Sequence, residues 1–278
     1  MNTPIADYHI HSKWSFDSES SLESIYEKAI QKGLKHIAIT EHCFLVQEHM
    51  VQLLDRWGYV SNNGFNTDLD VLFGVELSLE NKEIMWCLRN GVFGFWDIIS
   101  GGVHGFEQYN LYPKEPISEY RNKFLMLPEK VEQLVRQYVA QTVTAINTGQ
   151  LDVLVHPWDI FLLAGCTDQI LLKLSHDLVK QAALHNTFIE LNGGMLKNIY
   201  YLSAQMKINL EEFYVRFLQI CSGYDVKFVY GSDAHEVDEI GVPNFLPAIK
   251  SKLRFAAHSE LTQRTNERRN ENEKLCIL

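Results

Sequence analysis

The sequence predicts an α/β fold in which roughly seven parallel strands close into a barrel, and three observations lead there. Short apolar runs alternate with helical stretches along the chain, the pattern of parallel strands joined by crossover helices. Histidines and carboxylates recur where successive apolar runs end. The 278 residues suit one large barrel as a single domain, and no internal repeat or linker divides them.

The strands expected are Ile5–Ile10, His36–Thr40, Leu69–Val75, Asp97–Val103, Val153–Val155, Thr187–Leu191 and Val226–Tyr230. Helices are expected at Leu22–Lys32, Pro128–Thr148, Asp168–His185 and Leu210–Ser222. Ser20 or Ser21 caps the first helix and Gly33 follows its end as the C′ residue. Glu80–Glu119, rich in aromatics, Gly and Pro, reads as loop-forming insertions around the fourth strand. Residues 1–262 are taken as the barrel and 263–278 as a polar C-terminal tail; Gln263–Lys274 has no apolar period and is expected to fray. An open doubly wound sheet is the alternative, but no glycine-rich dinucleotide fingerprint follows the first strand.

Composition narrows the function. Hydrophobic residues make up 46% of the chain, enough for one substantial core. A net charge of −10 disfavours nucleic acid, whose phosphates need a positive footprint. No run of 18 apolar residues marks a membrane span, and MNTPIADYHIH lacks the features of a secretory signal. The five cysteines are scattered and never spaced CxxC, which points to a reducing compartment and a cytoplasmic protein. Cys276 is third from the end, so the prenylation pattern fails.

Nine potential metal ligands cluster at strand ends: His9 and His11 in DYHIH, Asp17, His42 in TEH, Glu76 in GVE, His104 in GGVHG, His156 in VLVHPWD, and Asp233 and His235 in GSDAH. Imidazole with carboxylate and no thiolate is the chemistry of hydrolytic Zn, Mn or Fe sites. The number exceeds the need of one ion, so two or three ions sharing a pocket are expected. Residues i and i+2 of a strand share a side, so His9 with His11 and Asp233 with His235 each form a pair. Pairs at opposite ends of the chain converge only if the sheet closes, with ligands gathered at the C-terminal strand ends. His36, His49, His176, His185 and His258 have no such context and are read as surface or hydrogen-bonded core residues.

These motifs, from DYHIH to GSDAH, resemble the polymerase and histidinol phosphatase (PHP) superfamily of metal-dependent phosphoesterases. DYHIHSKWSFDS, AITEH and IELNGGMLKN are most similar to its histidinol-phosphatase-type branch. GGVHG stands where that branch shows an SVH motif, and NGVFGFWDIIS has no assigned counterpart. The resemblance implies a distorted seven-stranded (β/α) TIM-like barrel with a trinuclear metal site. His9, His11, Glu76 and Asp233 would hold one ion, and Glu76 would bridge to a second held with His104 and His156. Asp17, His42 and His235 would hold the third. It further implies hydrolysis of a small phosphomonoester by metal-activated hydroxide, with L-histidinol phosphate, and so histidine biosynthesis, the leading named case.

Asp17 and Asp233 are candidates to relay a proton. Lys13, two residues after His11, is expected on the same side and within reach of phosphate. Lys197, the basic residue after ELN, is the match to the branch's phosphate contact, with Arg121 and Arg89 as further cations. Trp14, Trp96 and Trp158 are candidates for a leaving-group wall, with core packing the better reading for at least two of them. The alternatives are a phosphodiesterase or exonuclease acting on nucleotides or DNA ends, and a non-catalytic metal-stabilised module. A complete ligand set disfavours the latter, because a binding module needs no open metal positions.

Overall fold

The structure, a computed structural model, describes residues 6–63, 69–105, 128–163, 166, 169–195, 203–204, 209–241 and 253–276. Seven strands form one sheet in chain order. They are β1 (Ala6–Ile10), β2 (His36–Cys43), β3 (Asp70–Ser78), β4 (Ile98–Gly102), β5 (Val153–Leu154), β6 (Phe188–Asn192) and β7 (Phe228–Gly231). Every neighbouring pair is parallel. The barrel closes where Asp233 N donates to His9 O at 2.9 Å and His11 N donates to Ala234 O at 2.9 Å. Closure leaves neither edge strand unpaired.

Helices α1 (Leu22–Gln31), α2 (Val46–Asn63), α3 (Lys82–Arg89), α4 (Pro128–Ile146), α5 (Asp159–Leu163), α6 (Gln169–Leu184), α7 (Leu210–Gly223) and α8 (His258–Cys276) complete the described elements. One apolar layer joins strands to helices and includes Ile37, Ile39 and Val75 with Ile25, Leu178 and Phe217. A second fills the lumen: Tyr8, Ala38, Leu72, Ile98, Val153, Phe188 and Val229, closed by Leu261 of α8. Trp96 and Trp158 are buried in the outer layer and Trp14 packs partly buried against it.

Register decides which residues face the lumen. His36, Ala38 and His42 of β2 pair with Asp70, Leu72 and Glu76 of β3. The shared face is thus apolar midway and polar at both ends. In β1, Ala6 pairs with His36 and Asp7 with Ile37, but Ile10 pairs with Ile39, so the register shifts in between. This bulge reverses the strand's parity. Without it, Tyr8 and Ile10 would point inward and His9 and His11 away; with it, Tyr8 and both histidines face the centre.

The strands and the four expected helices appear within a few residues of their predicted bounds. Two expectations are corrected. The segment read as loop insertions contains α3, whose Asn81 cap accepts hydrogen bonds from Glu83 N and Ile84 N. The tail expected to fray belongs to α8. Its Arg268 is buried and reaches Asp152 Oδ2 at 2.9 Å, Trp96 O at 3.1 Å and Gly94 O at 3.2 Å. The helix docks through a buried charge with acceptors waiting for it, which an apolar-periodicity test does not detect. Among the described residues, Cys43, Cys87, Cys166 and Cys221 are buried free thiols and no helix is long and apolar enough to cross a membrane.

Replacing Arg268 with Ala removes the nearer of two cations beside the buried Asp152 carboxylate, leaving Arg264 Nε at 3.5 Å and the Ile99 N–H at 2.8 Å. The loss is therefore expected to fall below the roughly 3–5 kcal/mol of a fully broken buried pair. A urea unfolding midpoint well below that of the parent protein is the expected result. An unchanged midpoint would show that the Arg268–Asp152 pair contributes nothing to holding α8 on the barrel.

Candidate metal centre

All nine strand-end donors meet at the C-terminal mouth of the barrel, around Glu76. His9 and His11 approach each other through Nε2 atoms 3.0 Å apart, and each Nε2 lies 3.4 Å from Glu76 Oε2. Asp233 Oδ1 completes that group at 3.6 Å from His9 and 3.3 Å from His11. On the other carboxylate oxygen, Glu76 Oε1 lies 2.8 Å from His104 Nε2 and 2.6 Å from His156 Nε2. Towards solvent, Asp17 Oδ2 stands 3.2 Å from His42 Nε2 and 3.3 Å from His235 Nε2. His42 links this third group to Glu76 Oε2 through Nδ1 at 2.7 Å.

That last contact lacks hydrogen-bond geometry, and His42 Nδ1 and Glu76 Oε2 are both buried with no hydrogen-bond partner among the described residues. Nitrogen and oxygen donors that converge without satisfying one another fit divalent cations. His156 (φ 29°) and Asp233 (φ 55°) hold the left-handed backbone conformation, which non-glycine residues adopt rarely; Trp158, Asn186 and Asp225 share it elsewhere in the chain.

The field around the cluster is strongly mixed. Burial opposes charge on His42, but the carboxylates of Glu76 and Asp17 outweigh it and push the imidazole up to about 10. His156 rises to about 9, burial being outweighed by Glu76. For His9, Glu190, Asp233 and Glu76 overcome burial and raise it well above the ordinary range. His11 falls to about 3 through burial and the neighbouring His42. Burial would raise Glu76, yet His42, His104 and His9 hold it well below the usual carboxylate range.

A family model for the PHP domain matches residues 7–234. The chain belongs to the PHP domain family. A probable histidinol-phosphatase of Thermotoga maritima is 27% identical over 130 residues, covering 45% of this chain and 50% of that protein. The chain thus spans about half the length of this curated relative. A histidinol phosphate phosphatase from Lactococcus lactis subsp. lactis, solved with Zn, L-histidinol and phosphate, aligns with TM-score 0.52 at 13% identity, covering 96% of this chain and 93% of that one. A chain of an archaeal ribonuclease P with mature tRNA aligns with TM-score 0.53 at 16% identity, covering 97% and 92% respectively. At these identities the two structures speak for the shared fold.

Several residues that position this PHP centre are not evident from the ligand motifs. Glu190 accepts from His9 Nδ1 at 2.7 Å and from the His156 backbone N–H at 2.7 Å, and Asn192 Nδ2 donates to it at 3.1 Å. Glu41 accepts 2.6 Å hydrogen bonds from Ser12 Oγ and Ser15 Oγ, and Ser15 Oγ lies 3.1 Å from His11 Nδ1. Ser78 Oγ stands 3.1 Å from His104 Nδ1. Asp7 accepts from Ser232 N and Gly241 N, each at 2.8 Å, tying β1 to the loop that carries Asp233. The available signal was a carboxylate within two residues of a strand-end motif, as in DYH, TEH and ELN. Space is equally constrained: a Cβ on Gly102 would meet His156 Cε1 at 2.6 Å, and one on Gly231 would meet Glu190 and His9.

The cations expected for phosphate fare unevenly. Lys13 is exposed beside the mouth, but β1 ends at Ile10 and the chain turns at Ser12–Ser15, so strand alternation does not place it. Arg89 is exposed in the last turn of α3, about 10 Å along the helix from its start. Arg121 and Lys197 lie outside the described residues.

Two outcomes follow for the metal centre. Glu190→Gln weakens metal retention about 10–100-fold in chelator competition, the usual effect of losing a partner that orients a ligating histidine. Unchanged retention would remove Glu190 from the centre. Because His9, His42 and His156 hold protons at neutral pH in the metal-free protein, loading displaces them. Apparent affinity therefore rises with pH through neutrality and continues to rise until His156 and His42 deprotonate unaided, at about 9 and about 10. Calorimetric titration in buffers of different ionisation heat should read net proton release at pH 7; none would contradict this charge assignment.

Proposed function

We propose that the chain is a metal-dependent phosphatase that hydrolyses a small phosphomonoester, with L-histidinol phosphate the leading substrate. The observation that carries the reading is the convergence of nine nitrogen and oxygen donors in three groups around Glu76. Family membership and the histidinol phosphatase relatives support it. His9, His11, Glu76 and Asp233 would hold one ion, Glu76 with His104 and His156 a second, and Asp17 with His42 and His235 a third. Zn, Mn and Fe all suit this donor set. Divalent ions there supply Lewis acidity that polarises phosphate oxygens and lowers the pKa of water.

The chain's own residues do the rest. Glu190, Glu41 and Ser78 orient the imidazoles, so little reorganisation is needed when substrate binds. The Asp17 and Asp233 carboxylates are anionic, despite burial that would raise them, because histidines surround them. Each is therefore unprotonated at neutral pH and only weakly basic, which suits a metal ligand first and a transient proton relay second. Phe16, 68% exposed, stands beside His42 with Trp14, Leu45 and Val51 lining an adjacent hollow, an apolar wall for the leaving group. Lys13 is the proposed phosphate contact and catalytic cation, with Lys197, Arg121 and Arg89 as further candidates.

The test is elemental analysis of protein purified without a metal-affinity tag, combined with hydrolysis of histidinol phosphate, p-nitrophenyl phosphate and its bis-ester. Two or three ions per chain with monoester turnover are expected. Turnover of the bis-ester alone would favour a phosphodiesterase, and neither ions nor turnover after reconstitution would overturn the reading. His11→Ala and Asp233→Ala should each lower bound metal and cut turnover by more than about 100-fold, beyond the effect of an outer partner. Full activity in either variant would exclude that residue from the centre.

A further inference from the structure

A second set of donors lies at the opposite end of the lumen. His36 opens β2, Asp70 opens β3, and the two are paired in register, so their side chains share the lumen face. His258 opens α8, the helix that covers this end through Leu261. His258 Nε2 lies 2.9 Å from Asp70 Oδ2, and His36 Nδ1 lies 3.9 Å from the same oxygen. One donor atom from each of the three residues falls within 4.8 Å of the others. From sequence both histidines read as structural residues without a partner carboxylate; the fold supplies the carboxylate.

His36 Nδ1 and His258 Nε2 are buried atoms with no hydrogen-bond partner among the described residues, and their contacts with Asp70 lack hydrogen-bond geometry. The two imidazole rings stack with centroids 3.9 Å apart at 11°. Tyr8 Oη stands 3.1 Å from His258 Nδ1. With the Nδ1 proton donated to Tyr8, Nε2 presents its lone pair towards Asp70. A second hydrogen bond that sets the tautomer is what ligating histidines generally have. The Asp70 side chain is 53% exposed, so an ion and its completing waters have a way in.

We propose that His36, Asp70 and His258 form a second metal site, separate from the mouth, that binds a borderline divalent ion such as Zn²⁺ and pins the start of α8 to the starts of β2 and β3. Two imidazoles and one carboxylate match the donor preference of Zn²⁺ and leave open positions for water. The site lies on the far side of the apolar lumen layer from Glu76. It acts on the stability of the closed barrel and leaves the chemistry at the mouth alone. An ion bound only by the folded chain raises its thermal midpoint, and the rise grows with the logarithm of free ion once its concentration exceeds Kd.

The experiment is a Zn²⁺ titration of the full chain with its mouth already loaded, followed by equilibrium dialysis and elemental analysis. Parent protein is compared with Asp70→Asn and His36→Gln, two near-isosteric changes, so that a folding failure in one leaves the other informative. The parent protein is expected to retain one more Zn²⁺ per chain than either variant. Added Zn²⁺ is expected to raise the parent's thermal midpoint but not those of the variants, with turnover equal in all three. Equal Zn²⁺ content and equal midpoint shifts across the three proteins would overturn the proposal. So would an extra ion that disappears in Glu76→Gln and persists in Asp70→Asn, since it would then belong to the mouth. The ion count is independent of any activity, so this site stands or falls separately from the phosphatase reading.

Discussion

Glu76 is a fully buried carboxylate, and the organisation of the barrel mouth depends on neutralising it. His9, His11, His42, His104 and His156 all approach its oxygens, at 2.6 to 3.4 Å. These imidazoles come from or just beyond four different strand ends, β1, β2, β4 and β5. A buried anion without compensation is prohibitive, so either protonated histidines or bound cations must sit beside it. Closing the sheet adds the last motif to this centre: because β1 meets β7, Asp233 Oδ1 stands 3.3 Å from His11 Nε2 and 3.6 Å from His9 Nε2.

That demand spreads outward. Histidines that surround an anion or a cation must be held in orientation, and the chain uses a ring of further carboxylates and hydroxyls for it. Glu190 holds His9 and the backbone of His156. Glu41, through Ser15, holds His11. These groups are buried, and Glu41 is pushed up to about 7 by burial even though Ser12 and Ser15 pull it down. Glycines at 102 and 231 keep the space such packing requires. The left-handed conformations of His156 and Asp233 are held by the same closely packed surroundings.

The lumen itself is a thin apolar partition between two polar ends. Leu72 and Ala38 sit in register midway, with His42 and Glu76 at one end and His36 and Asp70 at the other. Covering the second end falls to α8, a helix with almost no apolar stripe that docks through Leu261 and the Arg268–Asp152 pair. The two polar ends differ in character: the mouth is deeply buried, whereas Asp70 is open to solvent.

The local pattern of residues carried much of this. Alternating apolar runs and helical stretches located seven strands and four helices, because each is set by short-range periodicity and capping. Strand-end histidines and carboxylates named all nine donors that meet at the mouth, because strands that close a barrel must deliver their ends to one place. Three features were decided only in three dimensions. The bulge that turns His9 and His11 inward exists in the pairing of β1 with β2, and nothing within DYHIH distinguishes it from plain alternation. Glu190 and Glu41 became orienting groups because of what lies across the lumen from them. The polar C-terminal segment became a docked helix because its arginine finds Asp152, 116 residues away in sequence. Periodicity is a property of neighbours along the chain; pairing register and buried charge partners are properties of neighbours in space.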